Sequence, residues 1–272
     1  MTRPVIGAAL GVPDLPDFRD WLFEKDRDLE LQGFAEPDLL IAGDWTPLVD
    51  KARRALDGFR GRLGIHGPFI GVGLVNPDPE IRALATRRMM AGLEVCCALG
   101  ATQMVVHSPY TTWDARNLDL FAHARERRMA AVEETMHEVV VRAADLGVML
   151  VLENVEDVDP ADRRRLADRL GAGTVKVSLD TGHAQYAHVS TGARPVDYFV
   201  RDAGAALAHV HLQDADGYAD RHWPVGQGSI PWHAVFAELA ATGAQPRLIL
   251  ELRDKAGIRP SVDWLAERGL GQ

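Results

Sequence analysis

The sequence predicts an α/β protein in which residues 1–272 form a single (β/α)8 barrel, with its active site at the carboxyl ends of the strands. Short apolar strands alternate with amphipathic helical patterns, and this alternation is typical of parallel βαβ units. Eight units spread over the chain take roughly 34 residues each, which suits a barrel of this kind. No low-complexity segment or linker divides the chain, so one domain accounts for its length.

Each predicted strand is a short, largely apolar run. The second strand has two candidates, because Asp38 to Ala42 (DLLIA) is an alternative to Asp28 to Gln32. In chain order the predicted strands are Val5 to Leu10, Asp28 to Gln32, Arg62 to His66, Gln103 to His107, Val148 to Glu153, Val175 to Asp180, Leu207 to Gln213 and Arg247 to Glu251.

The segments between the strands have helical spacing. Met129, Val132 and Met136, for example, recur at intervals of three and four residues. Gly100 and Gly147 each stand just before the next strand, where a helix C-cap belongs. The pattern therefore predicts a helix after each strand.

Composition narrows the class of protein. With 47% hydrophobic and 25% charged residues the chain matches an ordinary globular protein, and its net charge of -9 argues against a diffuse positive field for nucleic acid or anionic membrane. Cys96 and Cys97 are adjacent and cannot form a disulfide framework, which indicates a reducing compartment. The start of the chain lacks the pattern of a signal peptide or membrane span, so we expect a cytoplasmic protein.

Acids and histidines occupy the predicted strand ends. In a (β/α)8 barrel these ends surround the active site, and oxygen and imidazole ligands without thiolate suit a divalent metal such as Mn, Zn or Co. His209 lies two residues before His211, so we expect it one layer deeper, in a packing role. From the third strand to the eighth, the end residues are His66, His107, Glu153, Asp180, His211 and Glu251.

Other conspicuous features favour structural interpretations. The run Arg163-Arg164-Arg165 is typical of the solvated face of a helix. Gly226-Gln227-Gly228 is expected to shape the loop that positions His222 rather than to bind phosphate. Two interpretations are open for Trp223 and Trp232: their rings could cover the face of a bound sugar, or they could pack against the rest of the protein.

Short motifs follow the strand ends in order. They are His66-Gly67-Pro68-Phe69, Val105-Val106-His107-Ser108-Pro109, Leu152-Glu153-Asn154, Asp180-Thr181-Gly182-His183-Ala184, His211-Leu212-Gln213-Asp214, Asp220-Arg221-His222 with Gly226-Gln227-Gly228-Ser229-Ile230-Pro231-Trp232, and Leu250-Glu251. Over about residues 62 to 251 this order and spacing resembles the xylose isomerase-like TIM barrels, a superfamily of sugar isomerases and epimerases that also includes endonuclease IV.

The resemblance to the isomerase and epimerase branch implies one divalent metal held by four residues. Carried onto this chain, the ligands are Glu153, Asp180, His211 and Glu251. The same branch implies that Glu153 and Glu251 transfer a proton through a metal-stabilised enediolate, and that His183 contacts a substrate oxygen or shuttles a proton. A carbohydrate is then the substrate, and a homo-oligomer is compatible with such a barrel.

The resemblance to endonuclease IV implies a different chemistry, cleavage of abasic DNA with three zinc ions. This chain has candidates for all nine ligands of that branch, the five beyond the four above being His66, His107, His183, Asp220 and His222. The segments after the second and third strands, however, lack the basic residues that a polyanion requires. We therefore favour the isomerase or epimerase, with one metal expected and up to three accommodated. A related sugar lyase or dehydratase, or a barrel that only binds metal or sugar, are the remaining alternatives.

Overall fold

Eight parallel strands close into a barrel in the order in which they occur along the chain. The computed structural model describes residues 3–42 and 44–272. The strands are β1 (Gly7–Gly11), β2 (Leu29–Gln32), β3 (Leu63–His66), β4 (Gln103–His107), β5 (Met149–Glu153), β6 (Val175–Asp180), β7 (Leu207–Leu212) and β8 (Arg247–Leu250). The predicted α/β barrel is confirmed.

Eleven α-helices lie in the described residues. They are α1 (Leu15–Phe23), α2 (Pro37–Ala42), α3 (Thr46–Ala55), α4 (Pro79–Leu99), α5 (Thr112–Asn117), α6 (Ala124–Leu146), α7 (Pro160–Gly171), α8 (Thr181–Thr191), α9 (Val196–Ala203), α10 (Trp232–Thr242) and α11 (Ile258–Glu267). Gly100 and Gly147 end α4 and α6 as left-handed C-caps, with φ of 69° and 66°. No helix among the described residues is long and apolar enough to cross a membrane.

The choice between two candidates for the second strand is resolved. Residues 29–32 form β2 and pair with both β1 and β3. The alternative, Asp38 to Ala42, is wrong as a strand because it lies within α2. Proline is well suited to the first turn of a helix, since its fixed φ is helical, and Pro37 begins this one.

The strand register determines which strand-end residues lie at the same level along the barrel axis. His107 is level with Glu153 across β4 and β5, and Asp180 is level with His211 across β6 and β7. Side chains at these positions therefore stand at one edge of the barrel, above a core of buried aliphatic residues. Glu251 directly follows β8, and its backbone N–H donates to Leu212 O at 3.2 Å, which brings it to the same edge.

The expected solvated face of the arginine run is wrong for Arg163. Its side chain is fully buried, with Nε 3.0 Å from Asp157 Oδ1. Arg163 shares the inner face of α7 with Leu166 and Ala167, three and four residues later, because these positions lie above one another on a helix. Arg164 and Arg165 carry the outward part of the run.

Candidate metal centre

The residues proposed as metal ligands form a compact cluster at the carboxyl edge of the barrel. Glu153, Asp180, His211 and Glu251 are buried, and each offers a ligand atom within 4.8 Å of the others. The imidazole is central, because Nδ1 of His211 lies 3.1 Å from Glu153 Oε1, 3.4 Å from Glu251 Oε2 and 3.9 Å from Asp180 Oδ2. We call these residues the four-residue cluster.

A second cluster shares Glu153 with the first. The Nε2 atoms of His66 and His107 are each 3.6 Å from Glu153 Oε2. Phe69 packs on both imidazoles, with ring centroids 4.9 Å from His66 and 4.7 Å from His107. The two histidines thus face Oε2 of Glu153, whereas His211 faces Oε1, and an aromatic side chain packs against them.

A third cluster lies towards solvent. Asp220 Oδ1 is 3.4 Å from His183 Nε2 and 3.0 Å from His222 Nε2. Asp220 is exposed, whereas the two imidazoles are partly buried. All nine residues that the sequence singled out are therefore brought together, in three groups that could each hold a metal ion.

Asn154 and Asp180 fix the start of α8. The Asn154 side chain donates to Asp180 O and accepts from Asp180 N, while Asp180 Oδ1 accepts from His183 N at 2.7 Å as the helix N-cap. His183 Nδ1 in turn lies 2.8 Å from Asn154 O. Nε2 of His183 is thereby directed towards Asp220.

The loop between β7 and α10 places Asp220 and His222. Asp214 is fully buried, and its carboxylate accepts from the backbone N–H groups of Gly226 and Ile230 and from Trp232 Nε1. The Trp232 side chain is buried, so the packing interpretation is the one the structure supports for that tryptophan. Asp214 thus holds the loop by accepting hydrogen bonds from several N–H groups. These bonds offset the free energy lost when a carboxylate is buried away from water.

Four residues around the cluster were missed by sequence reasoning. Glu30 is buried below His211, Gln32 Nε2 donates to Glu251 Oε1 at 2.7 Å, and Gln213 Nε2 donates to both carboxylate oxygens of Asp180. Lys255 Nζ donates to Gln32 Oε1 at 3.2 Å. Glu30 carried a signal, since it is an acid flanked by leucines within a strand, whereas the amides carried none.

Carboxylates raise the pKa of four site histidines, His66, His183, His211 and His222, above the ordinary value. Burial alone would lower the pKa of His66 and of His222, but the neighbouring carboxylates of Glu153 and Asp220 respectively raise each to about 9. For His183, burial is again outweighed, and Asp180 and Asp220 raise its pKa to about 10. Burial dominates for His107 and lowers its pKa to about 4.

The donor set fits divalent cations. Glu153 Oε2 is buried and accepts no hydrogen bond from the described residues, although it faces two imidazoles. Buried carboxylates are stable when they are paired or coordinate a metal. Carboxylate and imidazole donors without thiolate suit Zn, Mn or Co, so the residues present fit a metal of this class.

Residues 24–268 match the family model described as xylose isomerase-like TIM barrel. The chain belongs to this family. Its sequence is 27% identical over 199 residues to a D-psicose 3-epimerase of Ruminiclostridium cellulolyticum, covering 68% of this chain and 61% of that protein. It is also 27% identical over 214 residues to a probable endonuclease 4 of Nitratidesulfovibrio vulgaris, covering 68% and 71%.

Solved structures support the same assignment. The TTHB071 protein of Thermus thermophilus, from a crystal soaked with zinc chloride, superimposes with a TM-score of 0.73 at 28% identity and covers 96% of this chain and 98% of its own. The family contains both sugar epimerases and endonucleases, so this chain shares its fold with enzymes.

Proposed function

We propose that this protein is a metal-dependent isomerase or epimerase of a small sugar or sugar phosphate. The observation that carries the proposal is the proximity of Glu153 and Glu251 to the same atom, His211 Nδ1, at 3.1 and 3.4 Å within one buried cluster. Two carboxylates that flank one centre can act as base and acid on opposite faces of a substrate bound between them. Relatives with epimerase activity support this choice.

The four-residue cluster would hold the metal, and a divalent ion there would supply stabilisation of negative charge developing on substrate oxygens. One glutamate takes the proton from the carbon beside the carbonyl, and the C–H electrons form the double bond of an enediolate. The other glutamate, protonated beforehand, delivers its proton to that carbon from the opposite face for an epimerase. For an isomerase the proton goes to the neighbouring carbon, the former carbonyl carbon, while the hydroxyl proton of the oxygen that becomes the new carbonyl passes to the former carbonyl oxygen. His183, whose Nδ1 lies 2.8 Å from Asn154 O, would bind a substrate oxygen or shuttle a proton.

The described loops around the site favour a small substrate over a nucleic acid. Glu36, Asp38 and Asp44, which follow β2, are exposed. Arg88 reaches the loop after β3, but it donates to Ile70 O at 2.9 Å and is engaged there with backbone. Acidic loops repel a phosphate backbone, whose binding depends on Lys and Arg contacts.

A second candidate function has its own observation. Two further clusters use residues other than the four ligands proposed for an isomerase. They contain His66 and His107 beside Glu153, and His183, Asp220 and His222. Several metal ions close together can activate water and stabilise the leaving oxygen of a phosphodiester. Hydrolysis of abasic DNA is therefore the alternative function. The number of possible metal-binding clusters favours it, and the negative charge of the segment after β2 opposes it.

Hydrogen exchange with solvent tests the proposal. The purified protein, saturated with Mn or Zn, is incubated in D2O with a panel of ketoses and their phosphates, and NMR follows deuterium at each carbon. We expect label at a carbon next to the carbonyl of at least one sugar, and a rate about 10²- to 10⁴-fold lower in Glu251→Gln at saturating metal.

Glu138→Gln is the matched control, since Glu138 is exposed on the outside of α6 and should leave the rate unchanged. The same preparations are assayed for cleavage of a duplex containing an abasic site. Absence of label across the panel, together with cleavage of that duplex, would overturn the isomerase in favour of the nuclease. Metal binding without either activity would indicate a binding protein.

A further inference from the structure

Glu30 is an acid in the interior of the barrel, beneath the four-residue cluster. It lies in β2 between two fully buried leucines, Leu29 and Leu31, and is itself only 2% exposed. Its neighbours in the register are Ala9 on β1 and Gly64 on β3, whose small size leaves room for the carboxylate. A buried carboxylate needs partners to offset its desolvation.

Those partners are two imidazoles from β7. Nε2 of His211 is 3.1 Å from both carboxylate oxygens of Glu30, and Nε2 of His209 is 3.2 Å from Oε2. Nδ1 of His209 is occupied by Ser178 Oγ at 2.9 Å. Glu30 therefore contacts the imidazole of the four-residue cluster on the side away from the other three ligands.

The two ring nitrogens of His211 consequently face different groups. Nδ1 points to the carboxylates of the four-residue cluster, whereas Nε2 points to Glu30. A neutral imidazole carries one proton, and a carboxylate at hydrogen-bonding distance favours that proton on the nitrogen facing it. A proton on Nε2 leaves the lone pair of Nδ1 directed at the metal position.

We propose that Glu30 is a positioning residue, which holds His211 in the Nε2–H tautomer and orientation that lets Nδ1 ligate the metal. The inference rests on the metal centre of the proposed function and adds a residue to it. Carboxylates that accept from the distal N–H of a ligating histidine also increase its basicity, and their loss typically weakens metal binding about 10- to 100-fold. The imidazole of His209, with Nε2 3.2 Å from Glu30 Oε2, lies against the same carboxylate.

Glu30, His209 and His211 could themselves be viewed as a set of three ligands, since they also lie within 4.8 Å of one another. That arrangement competes with the four-residue cluster for His211, which would have to bind ions through both nitrogens. A neutral imidazole offers one lone pair, so only one of the two sets can use it. The three carboxylates around Nδ1 favour the four-residue cluster.

Zinc affinity of three proteins tests the inference. Chelator competition measures the Kd of the tightest zinc site in the wild type, in Glu30→Gln and in Asp28→Asn, with circular dichroism reporting the fold. We expect Glu30→Gln to raise Kd about 10- to 100-fold. Asp28→Asn removes the same charge from the segment that leads into β2, where Asp28 binds Arg62 away from the site, and should leave Kd unchanged.

The histidine ring resonances of the zinc-loaded wild type give a readout that a purely structural role would not move. The His211 ring should carry its proton on Nε2, in a low-field resonance that moves upfield in Glu30→Gln. A His211 proton on Nδ1 in the wild type would overturn the inference without any variant. Equal zinc affinity of the wild type and Glu30→Gln would do the same.

Failure of the proposed function is distinguishable from failure of this inference. Suppose that the wild type binds zinc more tightly than Glu30→Gln and shows the expected tautomer, but incorporates no deuterium into any sugar. This result would overturn the proposed isomerase and support the role of Glu30. A wild type that binds no zinc overturns both. A variant that binds more zinc ions than the wild type would show that Glu30 obstructs binding, contrary to the inference.

Discussion

Gln213 is a residue that connects the four-residue cluster to its surroundings. Its amide nitrogen donates to both oxygens of Asp180 at 3.1 and 3.2 Å, and its carbonyl accepts from His222 N at 2.8 Å. It thereby joins the four-residue cluster to the loop carrying His222. Gly182, in the first turn of α8, makes room for this amide, because a Cβ at that position would overlap it.

A methyl group at position 182 should therefore disturb metal binding without changing any ligand. In Gly182→Ala the Gln213 amide must move, Asp180 loses its donor, and we expect zinc affinity to fall about tenfold. Isothermal titration calorimetry measures the zinc affinity of the wild type and of Gly182→Ala. Gly173→Ala is the matched control, since a Cβ at Gly173 meets open space, and equal affinities in the two variants would contradict the role of Gln213.

The convergence of the four-residue cluster could be predicted from the sequence because acids and imidazoles at strand ends meet in a barrel whatever the details of packing. The contacts that Glu30, Gln32 and Gln213 make with this cluster could not be predicted, for a physical reason. Their roles depend on contacts between distant strands, such as the 219-residue separation of Gln32 and Glu251. Amides also occur at many solvated positions, so residue type alone did not distinguish these.

At the scale of elements, α7 is anchored to the barrel by a buried ion pair. Arg163 contacts Asp157 and donates to the carbonyls of Leu152 and Ser178, on β5 and β6, while Asp157 accepts from Ser108 Oγ. This network joins the loops that follow β4 and β5, next to His107 and Glu153. Removing one partner of a buried pair leaves the other charge uncompensated.

Arg163→Ala should accordingly lower the free energy of unfolding by about 3–5 kcal/mol. Arg165→Ala, two residues later on the exposed side of the same helix, removes pairs with Asp159 and Asp162 and should cost less than about 1 kcal/mol. Urea denaturation of both variants measures the difference. Similar losses would mean that the buried pair contributes no more than a surface one.

The alternation of strands and helices, which predicted all eight β-strands, depends on local patterns that survive in the fold. The inward position of Arg163 did not follow from its run of three arginines, because helix phase decides which one faces the core. The segment Asp38 to Ala42 is likewise apolar enough for a strand. It forms α2 because β2 already occupies the position between β1 and β3.

At the scale of the whole molecule, the net charge of -9 is partly concentrated in the barrel. Five carboxylates lie in or beneath the candidate centre, those of Glu30, Glu153, Asp180, Asp220 and Glu251. Without metal, protonated histidines offset this charge. The nearby carboxylates favour the protonated imidazoles and therefore raise the pKa of His66 and His222 to about 9 and that of His183 to about 10.

The stability of the metal-free protein should therefore decline with rising pH. A histidine whose pKa is raised above its unfolded value of about 6.5 stabilises the fold fully below that pH. The contribution is lost as pH rises through about 9 to 10, where these three histidines release their protons. Chelator-treated protein, denatured in urea at pH 6.5 to 9, measures the slope.

Zinc should reverse the trend, since its ligands must be deprotonated and its affinity rises over the same interval. The double variant His66→Gln and His222→Gln is the control and should flatten the slope of the metal-free protein. An unchanged slope in that variant would show that these histidines do not carry the pH dependence.

Metal content per chain tests the central claim, a metal centre at the strand ends, most directly. Protein equilibrated with excess zinc and then desalted is analysed by mass spectrometry, beside His211→Gln. We predict at least one retained zinc ion in the wild type, one fewer in the variant, and up to three if all clusters fill. A wild-type chain that retains no ion after equilibration with zinc, manganese or cobalt would contradict the account.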